Sequence, residues 1–142
     1  MELKYGRTPE EWDDLVQAAV TSLKRTAGLG RMTNYTDLNR DISARTGHRA
    51  FDFSQPDERS AMGHLLGEVV DRTYPECRAM LSGIVEYLDE NKPGAGFYNL
   101  AVFKGLLDKD ASKDERDAFW YKQVDTVHEA YKRKGSRFGR RR

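Results

Sequence analysis

Between Met80 and Ala101 the chain reads MLSGIVEYLDENKPGAGFYNLA, and the remaining residues have to be arranged around this stretch. Met80 to Leu88 is rich in branched and aromatic residues. Pro93-Gly94-Ala95-Gly96 can turn the chain without Cβ clashes, with positive φ expected at the glycines, and Phe97-Tyr98 resumes a strand-like pattern. The expectation is a β-hairpin. On its first strand Leu81, Gly83, Val85 and Tyr87 would share one face, with Met80, Ser82, Ile84, Glu86 and Leu88 on the other. Asp89-Glu90-Asn91-Lys92 would form the exposed tip. A hairpin alone is marginal in water, so its apolar face needs helices as a cover.

Helices are legible on both sides of it. Thr8-Pro9-Glu10-Glu11 combines a capping hydroxyl, a first-turn proline and a glutamate three residues after the threonine, which predicts a helix start with a capping box. Trp12, Leu15, Val16, Ala19, Val20 and Leu23 then fall on one stripe, a core face, and Gly28 and Gly30 stop the helix. Asn34 is the expected cap of a second helix, with Asp37 at its third position, Tyr35, Leu38 and Ile42 on its buried side and Gly47 at its end. Phe51 and Phe53 anchor the loop that follows. A third helix should open at Ser54 as cap, with Pro56 and Asp57 in the first turn, and run to about Arg72, burying Met62, Leu65, Leu66, Val69 and Val70.

The outward residues of this third helix include Ser60, Gly63, His64, Gly67, Glu68 and Asp71. Each helix-interior glycine costs about 1 kcal/mol against alanine, so Gly63 and Gly67 call for a reason. Close packing against another helix is the simplest; a flat contact for a partner protein, made by Gly63, His64 and Gly67, is the functional alternative. Leu100 to Leu107 has helical character. Ser112-Lys113-Asp114-Glu115 is a further capping box, opening a last helix in which Phe119, Trp120, Val124, Val127 and Tyr131 recur at helical spacing. Trp120 is expected in the core, and the same aromatic face is a candidate seam for a homodimer.

Three helices, a hairpin wing and a long last helix describe an α+β, mainly helical, winged-helix-like fold. The segment Thr33 to Ile42, TNYTDLNRDI, is similar to the threonine-tyrosine-x-x-leucine entry of the second helix in winged-helix domains such as that of alkylguanine alkyltransferases. The alkyl-accepting Pro-Cys-His motif of that family does not follow: Pro75-Glu76-Cys77 lacks the histidine, so its activity is not carried over. Leu81 to Val85 together with Pro93 to Ala101, as L-S-x-I-V and P-G-x-G-F-Y-x-L-A, resembles a pattern of small, functionally unassigned bacterial and phage proteins of winged-helix-like type. That resemblance implies that the hairpin is a family hallmark and carries no chemistry.

At 142 residues with 38% hydrophobic content, the chain has material for one core. Residues 1–131 are expected to form a single domain and 132–142 a basic, disordered tail. That tail, KRKGSRFGRRR, holds seven of the 24 Lys and Arg and no acid, which leaves 17 bases against 23 acids in the body, a net of −6. No run approaches the roughly 18 apolar residues of a membrane span, and MELKYGRTPEEW lacks a signal pattern, so a cytoplasmic protein without a membrane segment is expected. The single Cys77 reads as a packing residue. His48, His64 and His128 lack metal-ligand spacing, and no metal or cofactor is expected.

Helix order and tail charge point first to nucleic-acid binding, with DNA as the expected partner. Lys92 at the wing tip and Lys132, Arg133, Lys134, Arg137, Arg140, Arg141 and Arg142 in the tail would contact phosphates. Against this, the third helix, which would enter the groove, carries Asp57, Glu58, Glu68 and Asp71 but only Arg59 and Arg72 as bases, a net of −2 over residues 57–72. The alternative is a protein-binding adaptor or inhibitor, encoded by a phage or mobile element and acting on a host factor. No catalytic motif is present, and the expectation is no enzyme. The nearest approach to one is Glu90-Asn91-Lys92 with Asp71, a Glu-x-Lys pattern of the kind Mg²⁺-dependent nucleases use.

Overall fold

The computed structural model of the chain describes residues 2–87 and 90–132. Helix α1 (Pro9–Gly28) starts with the expected reciprocal cap: the Thr8 hydroxyl accepts from the Glu11 amide at 3.1 Å, and the Glu11 carboxylate accepts from the Thr8 amide at 2.8 Å. Its stripe of Trp12, Leu15, Val16, Ala19, Val20 and Leu23 is buried. Helix α2 (Tyr35–Thr46) is capped by Asn34, whose Oδ1 accepts from the Asp37 amide at 2.8 Å, and ends at Gly47 in the left-handed region with φ 76°. Leu38 and Ile42 are buried beneath it, and Phe51 anchors the loop beyond. The last helix, α5 (Lys113–Tyr131), opens with the Ser112–Glu115 capping box.

Helix α3 (Pro56–Cys77) departs from expectation at both ends. Ser54 does not cap it, because its hydroxyl donates to Asp52 Oδ1 at 2.7 Å; Gln55 takes the cap position without a side-chain bond. At the far end the helix continues past Arg72 and through Pro75 to a left-handed Arg78 with φ 59°. A proline in the last turn forfeits one backbone bond, and burial of Thr73 and Cys77 draws the chain on regardless.

The hairpin does not form. Leu81–Ile84 is a 3-10 turn, and β2 (Val85–Glu86) pairs in parallel with β1 (Thr33–Asn34), in the register Thr33 with Val85 and Asn34 with Glu86. The residues read as its return strand, Phe97 and Tyr98, lie instead in helix α4 (Ala95–Phe103). The physical reason lies in α5. The Gln123 side-chain oxygen accepts from the Met80 amide at 2.9 Å, and Trp120 Nε1 donates to the Gly83 carbonyl at 2.8 Å, so side chains rather than a neighbouring strand satisfy this backbone. Met80 to Val85 are all buried, in place of the expected alternation of faces. Gly83 permits this packing, since a Cβ there would lie 3.3 Å from the Phe97 ring.

The 3-10 turn is therefore the centre of the molecule, lying among α1, α3 and α5. A large apolar cluster joins α1, α2, α3 and this turn; a smaller one joins Val70, Met80, Phe97, Ala101 and Trp120. Trp120 is in the core as expected, as is Cys77. The whole is mainly helical with one small two-stranded parallel sheet among the described residues. Among the described residues no helix is long and apolar enough to cross a membrane.

Candidate interaction surface

Two features converge on the outer side of α3. The first is a pair of glycines one turn apart. Among the described residues a Cβ at Gly63 or Gly67 would meet nothing within 4 Å, so none of the described helices packs on these positions as expected and the backbone there is open. His64 between them is exposed and turned toward the N-terminal segment, with Nδ1 3.4 Å from the Tyr5 hydroxyl.

The second feature is a cleft of about 600 Å³ beside Gly63. Arg59, Met62 and Gly63 of α3 contribute to one side, and Gly94, Ala95 and Gly96 at the start of α4 to another. Tyr35, Phe53 and Tyr87 complete it, with Tyr35 in edge-to-face contact with both Phe53 and Tyr87 at centroid distances of 6.5 and 5.9 Å. Burial, with a smaller effect of neighbouring Tyr87, pushes the Tyr35 phenol above its ordinary pKa, so it is a neutral hydrogen-bonding group at physiological pH. Gly94 does not have the positive φ expected of a hairpin turn: its φ is −73°. What requires glycine there is close approach, because a Cβ would lie 3.0 Å from the Tyr35 hydroxyl. Glycine at 96, like Gly63, leaves the cleft open, with nothing within 4 Å of its would-be Cβ.

Electrostatically the cleft has a positive end. Among the described residues no side chain caps α4; the Phe97 amide donates to the Gly94 carbonyl at 3.1 Å, which leaves the Ala95 and Gly96 amides to present N–H groups at the positive end of the helix dipole. Arg59 donates to the Phe53 carbonyl at 2.7 Å and makes no salt bridge among the described residues, which leaves its charge available.

An ion-pair cluster holds the neighbouring edge of α3. Arg7, 2% exposed, donates through both terminal nitrogens to Glu58 at 2.9 and 3.0 Å, and stacks its guanidinium 4.1 Å from the Phe51 ring centroid. Arg49 adds a bond of 2.9 Å and the Asp52 amide one of 3.1 Å, all to the same carboxylate. These donors, Arg7 foremost, hold Glu58 at about 2 despite its burial. Lys4 and Trp12 Nε1 both donate to Glu68, so the N-terminal segment is strapped along α3.

Of the residues expected to contact nucleic acid, Lys92 and Lys132 are among the described residues. Lys92 is not at a hairpin tip; it lies in the loop before α4 and pairs with Glu90 at 3.1 Å. Leu88 and Asp89 fall outside the described residues. Lys132 directly follows α5 and lines a smaller cleft with His128 and Asp125, and residues 133–142, with Arg133, Lys134, Arg137, Arg140, Arg141 and Arg142, also lie outside the described residues. The acids of the nuclease pattern are separately engaged: Asp71 pairs with Lys104 at 2.6 Å and Glu90 with Lys92. Among the described residues no group of three or more His, Cys, Asp or Glu is placed to hold a metal ion. The Nε2 of His128 lies 2.9 Å from the Arg31 carbonyl.

Sequence reasoning singles out Gly63, His64 and Gly67 as a contact and reads Gly94 and Gly96 as turn glycines; it misses Tyr35, Phe53, Arg59, Met62 and Tyr87 as members of one site. Gly63 and Gly67 are conspicuous because each is costly inside a helix. The aromatic residues are not, since they read equally well as core. Comparison of the chain with protein-family models, with characterised proteins and with solved structures finds no match.

Proposed function

We propose that the chain is a protein-binding adaptor whose contact face is the outer side of α3 at Gly63, His64 and Gly67, together with the adjoining cleft. The observation that supports this reading is the open space at the glycine pair. Two helix-interior glycines cost about 1 kcal/mol each, and the fold recovers nothing from them, because a Cβ at either position would meet no atom within 4 Å. A bare stretch of helix backbone beside an aromatic cleft lets another chain approach closely. The acidic character of α3 opposes the competing placement of this helix against phosphates.

The test is affinity capture from nuclease-treated bacterial lysate with the wild-type chain and with Gly63→Arg/Gly67→Arg. A stoichiometric partner retained by the first and lost from the second is expected, with unchanged circular dichroism. Recovery of the same proteins by both would overturn the reading.

A second reading keeps nucleic-acid binding, and it is favoured by one observation: seven bases and no acid among residues 132–142. Here the tail supplies the phosphate contacts, and the winged-helix assignment enters only through the order of the first three helices, without a hairpin wing. Fluorescence anisotropy of labelled duplex DNA should then show affinity that falls steeply with added salt and vanishes in a chain ending at Tyr131. Salt-independent binding would exclude it.

A further inference from the structure

The cleft is built for more than a flat contact. Its walls are three aromatic rings and Met62, its openness comes from glycine on facing sides at Gly63 and Gly96, and its polar groups are donors: Arg59, the phenol of Tyr35 and the uncapped first amides of α4. A volume of about 600 Å³ lies within the range of pockets that hold a small molecule or a few residues of peptide. The occupant must therefore be apolar along most of its length and negatively charged at one end.

The number of cations decides how much charge. Arg59 is the one Lys or Arg that lines the cleft among the described residues, and one of its N–H groups is committed to Phe53. One guanidinium plus the two backbone amides of Ala95 and Gly96 matches a single carboxylate, which accepts up to four hydrogen bonds, whereas a nucleotide phosphate chain would leave charge unneutralised. The ring geometry agrees. Tyr35 meets both Phe53 and Tyr87 edge to face and is stacked on neither. Such a wall suits an aliphatic or aromatic side chain.

We propose that the cleft receives the C-terminal end of a partner polypeptide, with the terminal carboxylate on Arg59 and the amides at Ala95 and Gly96, and an apolar last side chain against Tyr35, Phe53 and Tyr87. Carboxylate capture by backbone amides is a general mode of peptide recognition. This rests on the protein-binding reading above and names the part of the partner that is held.

The experiment is a titration of the full ¹⁵N-labelled chain, followed by amide NMR, with three probes. These are a hexapeptide pool with random residues and a C-terminal Phe or Leu, the same pool amidated at its C-terminus, and hydrocinnamate as a free small acid. The free-acid pool is expected to shift the Ala95, Gly96 and Phe97 amides, with affinity at least tenfold above the amidated pool and above hydrocinnamate. Arg59→Gln should weaken it about tenfold, and Gly96→Leu, which fills the cleft where a Cβ meets nothing, should abolish it while the thermal melt stays close to wild type. Equal binding of acid and amide, shifts elsewhere than the start of α4, no binding by either pool, or hydrocinnamate binding as well as the pool would overturn the proposal. Capture of a partner that depends on Gly63 and Gly67 but not on Gly96 would leave the adaptor reading standing and remove only this one.

Discussion

Glu58 concentrates more electrostatic work than any other side chain described. Four hydrogen bonds, two from Arg7 and one each from Arg49 and the Asp52 amide, converge on a carboxylate only 8% exposed. Its folded pKa of about 2 lies below the ordinary 4.5, so its contribution is complete above pH 4.5 and is lost as pH falls toward 2. Urea denaturation between pH 6 and 2 should therefore show a loss on the order of 2 kcal/mol concentrated below pH 4.5. Glu58→Gln should cost about 3 kcal/mol at pH 7 and flatten that dependence, because Arg7 would remain buried without its counter-charge. No pattern in the sequence announces this pair: its members are 51 residues apart, and each alone reads as an ordinary surface charge.

Among elements, the glycines separate those the fold requires from those it does not. Gly63→Ala and Gly67→Ala place a methyl group in open space on α3, and each should raise stability by about 0.5–1 kcal/mol in chemical denaturation. Gly83→Ala puts a methyl 3.3 Å from the Phe97 ring and should lower it by about 1–2 kcal/mol. A stabilised α3 that no longer captures a partner would show that the glycines serve contact rather than folding. The capped helices were readable because a cap is a local device: Thr8 with Glu11, Asn34 with Asp37 and Ser112 with Glu115 each act within one turn. Helix α4 was legible only from Leu100 onward. Phe97-Tyr98 has strand-like composition, and Phe97 becomes helical by docking into the cluster around Trp120, a choice that depends on a residue some twenty positions away.

For the whole molecule, the two apolar clusters share Met32 and Val124 as neighbours, which ties the α4–α5 half to the three-helix half. Trp12 lies in one and Trp120 in the other. Tryptophan fluorescence of Trp120→Phe, which reports on Trp12, and of Trp12→Phe, which reports on Trp120, should each coincide with loss of helical circular dichroism in a single urea transition. Separate midpoints within either variant would show that the clusters unfold independently. Trp120→Phe should itself cost about 1–2 kcal/mol, since the Gly83 carbonyl loses a buried donor.

By itself the sequence determined what is local: helix starts and stops for α1 and α2, the start of α5, the apolar stripes of α1 and α3, the mainly helical class, and an acidic body set against a basic end. Each follows from interactions spanning a few residues, whose energies do not depend on where the rest of the chain goes. Tertiary structure alone decided that Met80 to Glu86 finds its hydrogen-bond partners in Trp120, Gln123 and a parallel strand instead of a hairpin. It likewise decided that Tyr35, Phe53, Arg59, Tyr87 and Gly94–Gly96 meet around one cleft. A backbone amide or carbonyl must be satisfied by something, but which partner reaches it first is a property of packing, and packing is not written in any single stretch of the chain.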